Sequence, residues 1–150
     1  MVLALGSDHG GFALKEEIKK YLDSRGVAYH DFGCYSPESC DYPVIGKTVG
    51  EAVASGEYER GLLFCGTGIG ISLAANKVPG IRAACCSDCF SAKYTRMHND
   101  ANILAMGGRV VGPGLAVEMV ALFLDTEFEG GRHQRRVDMI SQIEREYTGK

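Results

Sequence analysis

Five short apolar runs alternate with longer stretches in which apolar side chains return at helical spacing, and this alternation constrains the fold more than any other feature of the chain. The runs are Val2 to Leu5, Val27 to Phe32, Leu62 to Cys65, Ile81 to Cys86 and Ile103 to Met106, each short and rich enough in branched residues to read as a strand. Among the intervening stretches, Phe12, Ile18, Tyr21 and Leu22 form one apolar stripe that stops at Gly26. Pro43 to Ser55 and Pro113 to Leu124 each open on a proline, which suits a first helical turn. The segment His133 to Tyr147 sets Val137, Ile140, Ile143 and Tyr147 on one face and charges on the other. Strands joined by helical crossovers must run parallel, with helices covering both faces of the sheet. The expected fold is therefore α/β, a Rossmann-like three-layer α/β/α sandwich with a five-stranded parallel sheet, and chemistry is expected in loops at the carboxyl ends of strands.

A chain of 150 residues, 45% of them hydrophobic, has enough material for one ordinary core and too little for two, so residues 1–150 are expected to form a single domain. Sixteen basic side chains against nineteen acidic ones give a net charge of −3, which offers no general attraction to nucleic acid or to an anionic membrane. No apolar run approaches the roughly 18 residues that a membrane helix requires. Six cysteines without a signal-peptide pattern after Met1 point to a cytoplasmic protein with reduced thiols.

Four segments carry residue types suited to chemistry. In "CGTGIG", Gly66, Gly68 and Gly70 permit a tight turn that aims backbone N–H groups at one point, a natural anion hole beside Cys65. The same field favours thiolate over thiol, which would let Cys65 act as a base, although a small buried hydrophobe is the plainer role for such a cysteine. "GSDHGGF" places Asp8 and His9 after the first strand, where Asp8 also suits a helix cap and His9 suits an anion. "RMHND" offers His98 as a proton carrier and Asn99 as a neutral donor, or alternatively no more than a helix end. In "EGGRHQRR", Arg132 and Arg136 stand four apart on one helical face, as two guanidinium forks reading a phosphate would, or as a solvated basic face.

Rival motifs fail on spacing. The dinucleotide fingerprint needs a glycine where Ile71 stands, which leaves Asp88 as a weak candidate for a ribose-binding acid. "GKT" at 46 to 48 lacks its upstream glycine, since Asp41 occupies that position. Cys86 and Cys89 have the spacing of a thiol pair, yet no second pair at zinc spacing follows.

Taken together, "GSDHGGF", "DYP", "CGTGIGISLAANK", "GIRA", "HNDAN", "GGRVVG" and "EGGRHQRRV" resemble the B-type ribose-5-phosphate isomerases over nearly the whole chain. The resemblance implies interconversion of ribose 5-phosphate and ribulose 5-phosphate through an enediolate, with no cofactor and no metal. It implies Cys65 as the base, supported by Thr67, and His98 as the group that opens the sugar ring. Isoleucine at position 71, where one subclass carries a glutamate base, places the chain with the cysteine users. Asp8 and Tyr42 would hold the sugar, Gly66, Gly68, Ile69, Gly70 and Asn99 would offer donors to the enediolate, and His9, Arg109, Arg132 and Arg136 would clamp the phosphate. It further implies a homodimer, in some relatives a tetramer, with His98 and Asn99 acting across the interface and the C-terminal helix packed on the partner. The wider family, similar in fold, also includes allose-6-phosphate and galactose-6-phosphate isomerases, but the latter tend to lack either the cysteine loop or the histidine motif, and this chain keeps both, so the resemblance favours ribose 5-phosphate. Two other classes stay open: a flavodoxin-like nucleotide-binding module, and a thiol redox enzyme working through Cys86 and Cys89.

Overall fold

The computed structural model describes residues 1–149 as five strands and six helices: β1 (Val2–Ser7), α1 (Phe12–Arg25), β2 (Ala28–Asp31), α2 (Tyr42–Ala54), β3 (Arg60–Cys65), α3 (Ile69–Ala75), β4 (Ala83–Cys85), α4 (Cys89–Asn99), β5 (Ile103–Gly107), α5 (Pro113–Asp125) and α6 (Arg132–Thr148). The strands form one sheet in the order β2-β1-β3-β5-β4, with every neighbouring pair parallel. The expected α/β sandwich is present.

Strand alternation divides the interior in two. Leu3, Leu5, Leu62, Phe64, Leu104 and Met106 face a core built with α1, α5 and Ala92 of α4. Their neighbours Ala4, Leu63, Cys65, Ile103 and Ala105 face a second core built with α2 and α3. Successive strand side chains point to opposite faces, so both faces of the central strands are apolar and the strands read as unbroken hydrophobic runs. Gly26 ends α1 in the left-handed conformation at φ 68°, and Pro43 and Pro113 stand in the first turns of α2 and α5, as their positions in the sequence lead one to expect.

The chain leaves β1 toward β2 on one side and returns to β3 on the other. The carboxyl ends of β1 and β3 therefore flank a topological switch point, the place where open α/β sheets bind ligands. Asp8 and Cys65 occupy those two ends, stitched together by the Asp8 N–H donating to the Phe64 carbonyl at 3.1 Å.

The expectation of six reduced thiols is corrected: Cys34 and Cys40 are joined in a disulfide, while Cys65, Cys85, Cys86 and Cys89 are free. The loop between β2 and α2 folds back on itself and brings these two Cα atoms to 6.8 Å, within bridging reach. Among the described residues, no helix is long and apolar enough to cross a membrane.

Candidate active site

Cys65 closes β3 and is only 4% exposed, yet its sulfur faces the loop that follows rather than the core alone. The Gly68 N–H donates to Cys65 Sγ at 3.0 Å. This bond depends on Gly68 lying at φ 81°, where a Cβ would also sit 2.7 Å from the Met106 carbonyl carbon. Only glycine satisfies both the dihedral and the space. Thr67 accepts the Ile69 N–H on its hydroxyl at 3.2 Å and so fixes the next bend. The segment after β5 lies against this loop, its Gly108 and Arg109 N–H groups donating to the carbonyls of Cys65 and Gly66 at 2.8 and 3.0 Å. Arg109 is thereby anchored with its guanidinium over Gly66. The helix α3 that follows spans only seven residues, so any positive field beside Cys65 comes chiefly from the loop's own N–H groups.

A cavity of about 480 Å³ opens here, lined by Asp8, Tyr42, Cys65, Gly66, Thr67 and Arg109, with Ile69, Gly70 and Leu73 along one wall. Asp8 is buried and accepts the Gly11 N–H at 3.1 Å, so it serves the start of α1 while facing the cavity. The Tyr42 ring lies directly over Gly70, where a Cβ would come within 2.5 Å of Tyr42 Cε1. His9 follows Asp8 and accepts the Cys40 N–H on Nδ1 at 3.2 Å, which ties it to the disulfide loop.

The remaining candidates gather elsewhere in the chain. His98 and Asn99 sit in the last turn of α4, lining a separate cavity of about 340 Å³ with Cys86, Phe90 and Tyr94. Arg132 and Arg136 stand exposed at the start of α6. Between them lies His133, to which the motif alone assigns no role. Its ring stacks on His98 with centroids 4.0 Å apart and planes within 9°. Glu129, also missed, places its two carboxylate oxygens 3.9 Å from His98 Nε2 and 3.6 Å from His133 Nε2. Burial, followed by the nearby His98 and Arg132, pushes the His133 pKa below its ordinary value. One chain thus holds two half-constellations, the sulfur with Asp8, Tyr42 and Arg109 in one, and His98 with Asn99 and the α6 arginines in the other.

Several sequence alternatives lose their footing. Asp88 caps α4 by accepting the Ser91 N–H at 2.7 Å, which accounts for it without a ribose. Lys47 of "GKT" pairs with Glu51 at 3.2 Å on the surface of α2. Burial, with Cys85 and Asp88 adding to it, pushes the Cys86 thiol up to about 11, and burial and Glu118 raise Cys89 as well, which is the reverse of what a redox dithiol requires.

Residues 3–140 match the model of the Ribose/Galactose Isomerase family. The chain belongs to this family of isomerases. It is 53% identical over 142 residues to ribose-5-phosphate isomerase B of Escherichia coli, covering 95% of each chain. The solved structure of ribose-5-phosphate isomerase B from Clostridium thermocellum is 55% identical and superposes with a TM-score of 0.97, covering 99% of this chain and 100% of that one. A D-erythrulose-4-phosphate isomerase of Pectobacterium atrosepticum is 43% identical over 144 residues, covering 95% of this chain and 94% of that protein. The family thus spans phosphosugars of different lengths.

Proposed function

We propose that this isomerase interconverts ribose 5-phosphate and ribulose 5-phosphate in the cytoplasm, as a homodimer whose sites are each assembled from two copies. The observation that carries the reading is the Cys65 sulfur at the floor of a cavity, with the Gly68 N–H aimed at it. A donor on the sulfur is what a thiolate base needs.

The chemistry then assigns the remaining groups. His98 of a second copy protonates the ring oxygen as the anomeric hydroxyl loses its proton, and the furanose opens to the aldehyde. Cys65 takes the proton from C2, the aldehyde oxygen is stabilised as it gains charge, and an enediolate forms. Return of that proton from the thiol to C1, with transfer of the C2 hydroxyl proton to the C1 oxygen, gives the ketose and restores the thiolate, so no redox partner is needed. Backbone donors from Gly66 to Gly70 stabilise the enediolate oxygen, each such donor contributing about 3 kcal/mol in comparable anion holes. Asn99 adds a further donor, Thr67 holds the loop, and Asp8 and Tyr42 bind sugar hydroxyls. Arg109, His9, Arg132 and Arg136 hold the phosphate, which fixes C2 against the sulfur.

Support for the shared site comes from the division of these residues within one chain and from α6, which leaves Met139, Ile140, Ile143 and Tyr147 exposed. An apolar helical stripe of this kind calls for a covering surface.

The test is turnover of ribose 5-phosphate by chelator-treated protein, with ribulose production followed beside D-erythrulose 4-phosphate and allose 6-phosphate as competing substrates. Cys65→Ala is expected to lose turnover by at least about 10³-fold while the Kd for ribose 5-phosphate changes little. Turnover near wild type in that variant removes Cys65 from the mechanism, and a preference for the four- or six-carbon phosphate replaces the ribose assignment.

A further inference from the structure

Beyond the Cys65 cavity, one group of side chains has the composition of a metal site. His98 at the end of α4, Glu129 in the loop before α6 and His133 in the first turn of α6 bring one ligand atom each to within 4.8 Å of one another. Glu129 bridges the two rings, one oxygen toward each Nε2. A second observation points to a missing ligand. His133 is 6% exposed, and its Nε2, turned toward this cluster, is buried without a hydrogen-bond partner. The 3.6 Å separating it from Glu129 is too long for a hydrogen bond. Buried polar atoms are ordinarily satisfied, so an unpartnered imidazole nitrogen beside a carboxylate and a second imidazole requires an explanation.

We infer that His98, Glu129 and His133 form a binding site for a divalent transition metal ion of the zinc class. Two imidazoles and one carboxylate are a three-ligand set typical of zinc, leaving a fourth position open. The same set disfavours magnesium and calcium, which prefer all-oxygen shells. Bonds of about 2.0–2.2 Å would draw the three ligand atoms to roughly 3.4 Å apart. Glu129 and His98, with side chains 44% and 36% exposed, can make that contraction while His133 is held by its surroundings. Because the two rings lie parallel, His98 must tilt for its lone pair to converge with that of His133.

Bound metal would occupy the His98 nitrogen that a ring-opening acid needs, so the ion acts as an inhibitor; this consequence rests on the role proposed for His98 above. The site is also separate from the Cys65 sulfur, the other soft ligand a zinc ion would seek.

The experiment is calorimetric titration of zinc chloride, and separately magnesium chloride, into the full chain and into its Cys65→Ser, Glu129→Gln and His133→Ala variants, with thermal melting confirming that each is folded. Zinc is expected to bind once per chain in wild type and in Cys65→Ser, to lose on the order of tenfold or more in affinity in Glu129→Gln and His133→Ala, and magnesium to bind in none. Undiminished zinc binding by Glu129→Gln and His133→Ala, or its loss in Cys65→Ser alone, overturns the site. Turnover is read in parallel. Glu129→Gln should keep its metal-free rate and resist zinc concentrations that silence wild type, with chelator restoring wild type. Zinc that binds through these residues without slowing ribose 5-phosphate turnover upholds the site and instead counts against His98 as the ring-opening group.

Discussion

At the scale of single residues, the least expected side chain is Lys15, which lies on α1 with no exposure at all. Its ammonium donates to Asp31 Oδ1 at 2.8 Å and to the Cys34 carbonyl, between the rings of Phe12 and Tyr35. Asp31 also receives Lys19 at 3.1 Å and the Gly33 N–H at 2.9 Å. Burial by itself would raise the Asp31 pKa, but hydrogen bonds from Lys15, Gly33 and Lys19 outweigh it and hold the carboxyl below its usual 3.8. The cluster pins the disulfide loop, and with it His9, to the end of β2. Removing one partner of a buried pair strands the other, so Asp31→Asn is expected to lower stability by about 3 kcal/mol in urea unfolding at pH 7. The sign of the pH dependence follows from the depressed folded-state pKa. The contribution is complete above the unfolded value and is lost as pH falls through the folded one. The stability gap between wild type and variant should therefore hold from neutral pH down to about 4 and close below it. A gap that persists unchanged at pH 2 would show that the aspartate acts through packing and not through charge.

Among the elements, the turn from β3 into α3 is held closely by contacts at Gly68 and Gly70, and its contact with α2 shapes the Cys65 cavity. Gly70 has no side chain because the Tyr42 ring occupies that space. A methyl group there must displace the ring, which is partly exposed and free to swing without disturbing either core. Gly70→Ala is therefore expected to weaken substrate binding roughly tenfold, about 1.4 kcal/mol, with unchanged or slightly raised melting temperature because alanine favours the helix. Adding Tyr42→Ala should produce almost no further loss if both changes act through the same contact, and full additivity in that double-mutant cycle would refute the link. The same elements show what the sequence makes legible. The central strands are readable because both of their faces are buried, and Gly66, Gly68 and Gly70 are readable because a glycine run after a strand has few other uses. Helix α4 carries no apolar stripe, since the positions it buries are Ala92, Thr95 and Arg96, the last anchored by Asp100 at 2.8 Å and the Ala101 carbonyl at 2.6 Å. The disulfide escapes a reading by compartment because it depends on how one loop closes. Glu129 and His133 escape because only the packing of α6 on α4 brings them to His98.

At the scale of the whole molecule, the question is whether one chain can complete a site. The Cys65 cavity includes neither His98 nor Asn99, which line a different one, and the α6 arginines share the histidine end of the chain. Within its own chain α6 buries only His133 and Val137, so its apolar stripe contributes little to the fold of an isolated copy. Closed two-fold pairing would let the sulfur half of one copy face the histidine half of the other, giving two equivalent shared sites. This arrangement makes a quantitative prediction. Cys65→Ala and His98→Ala chains should each be inactive alone on the cyclic phosphate. In a mixed dimer, one site combines both lesions and is dead, while the other combines an intact sulfur with an intact histidine. Random exchange between equal amounts of the two chains makes half of the dimers mixed, and one of the two sites in each is intact, so the mixture should recover about one quarter of wild-type turnover. Unfolding and refolding the two chains together supplies the exchange, and mixing them without refolding serves as the control. If each chain instead builds its site alone, every site in every dimer carries a lesion and the mixture stays silent however long it is allowed to exchange.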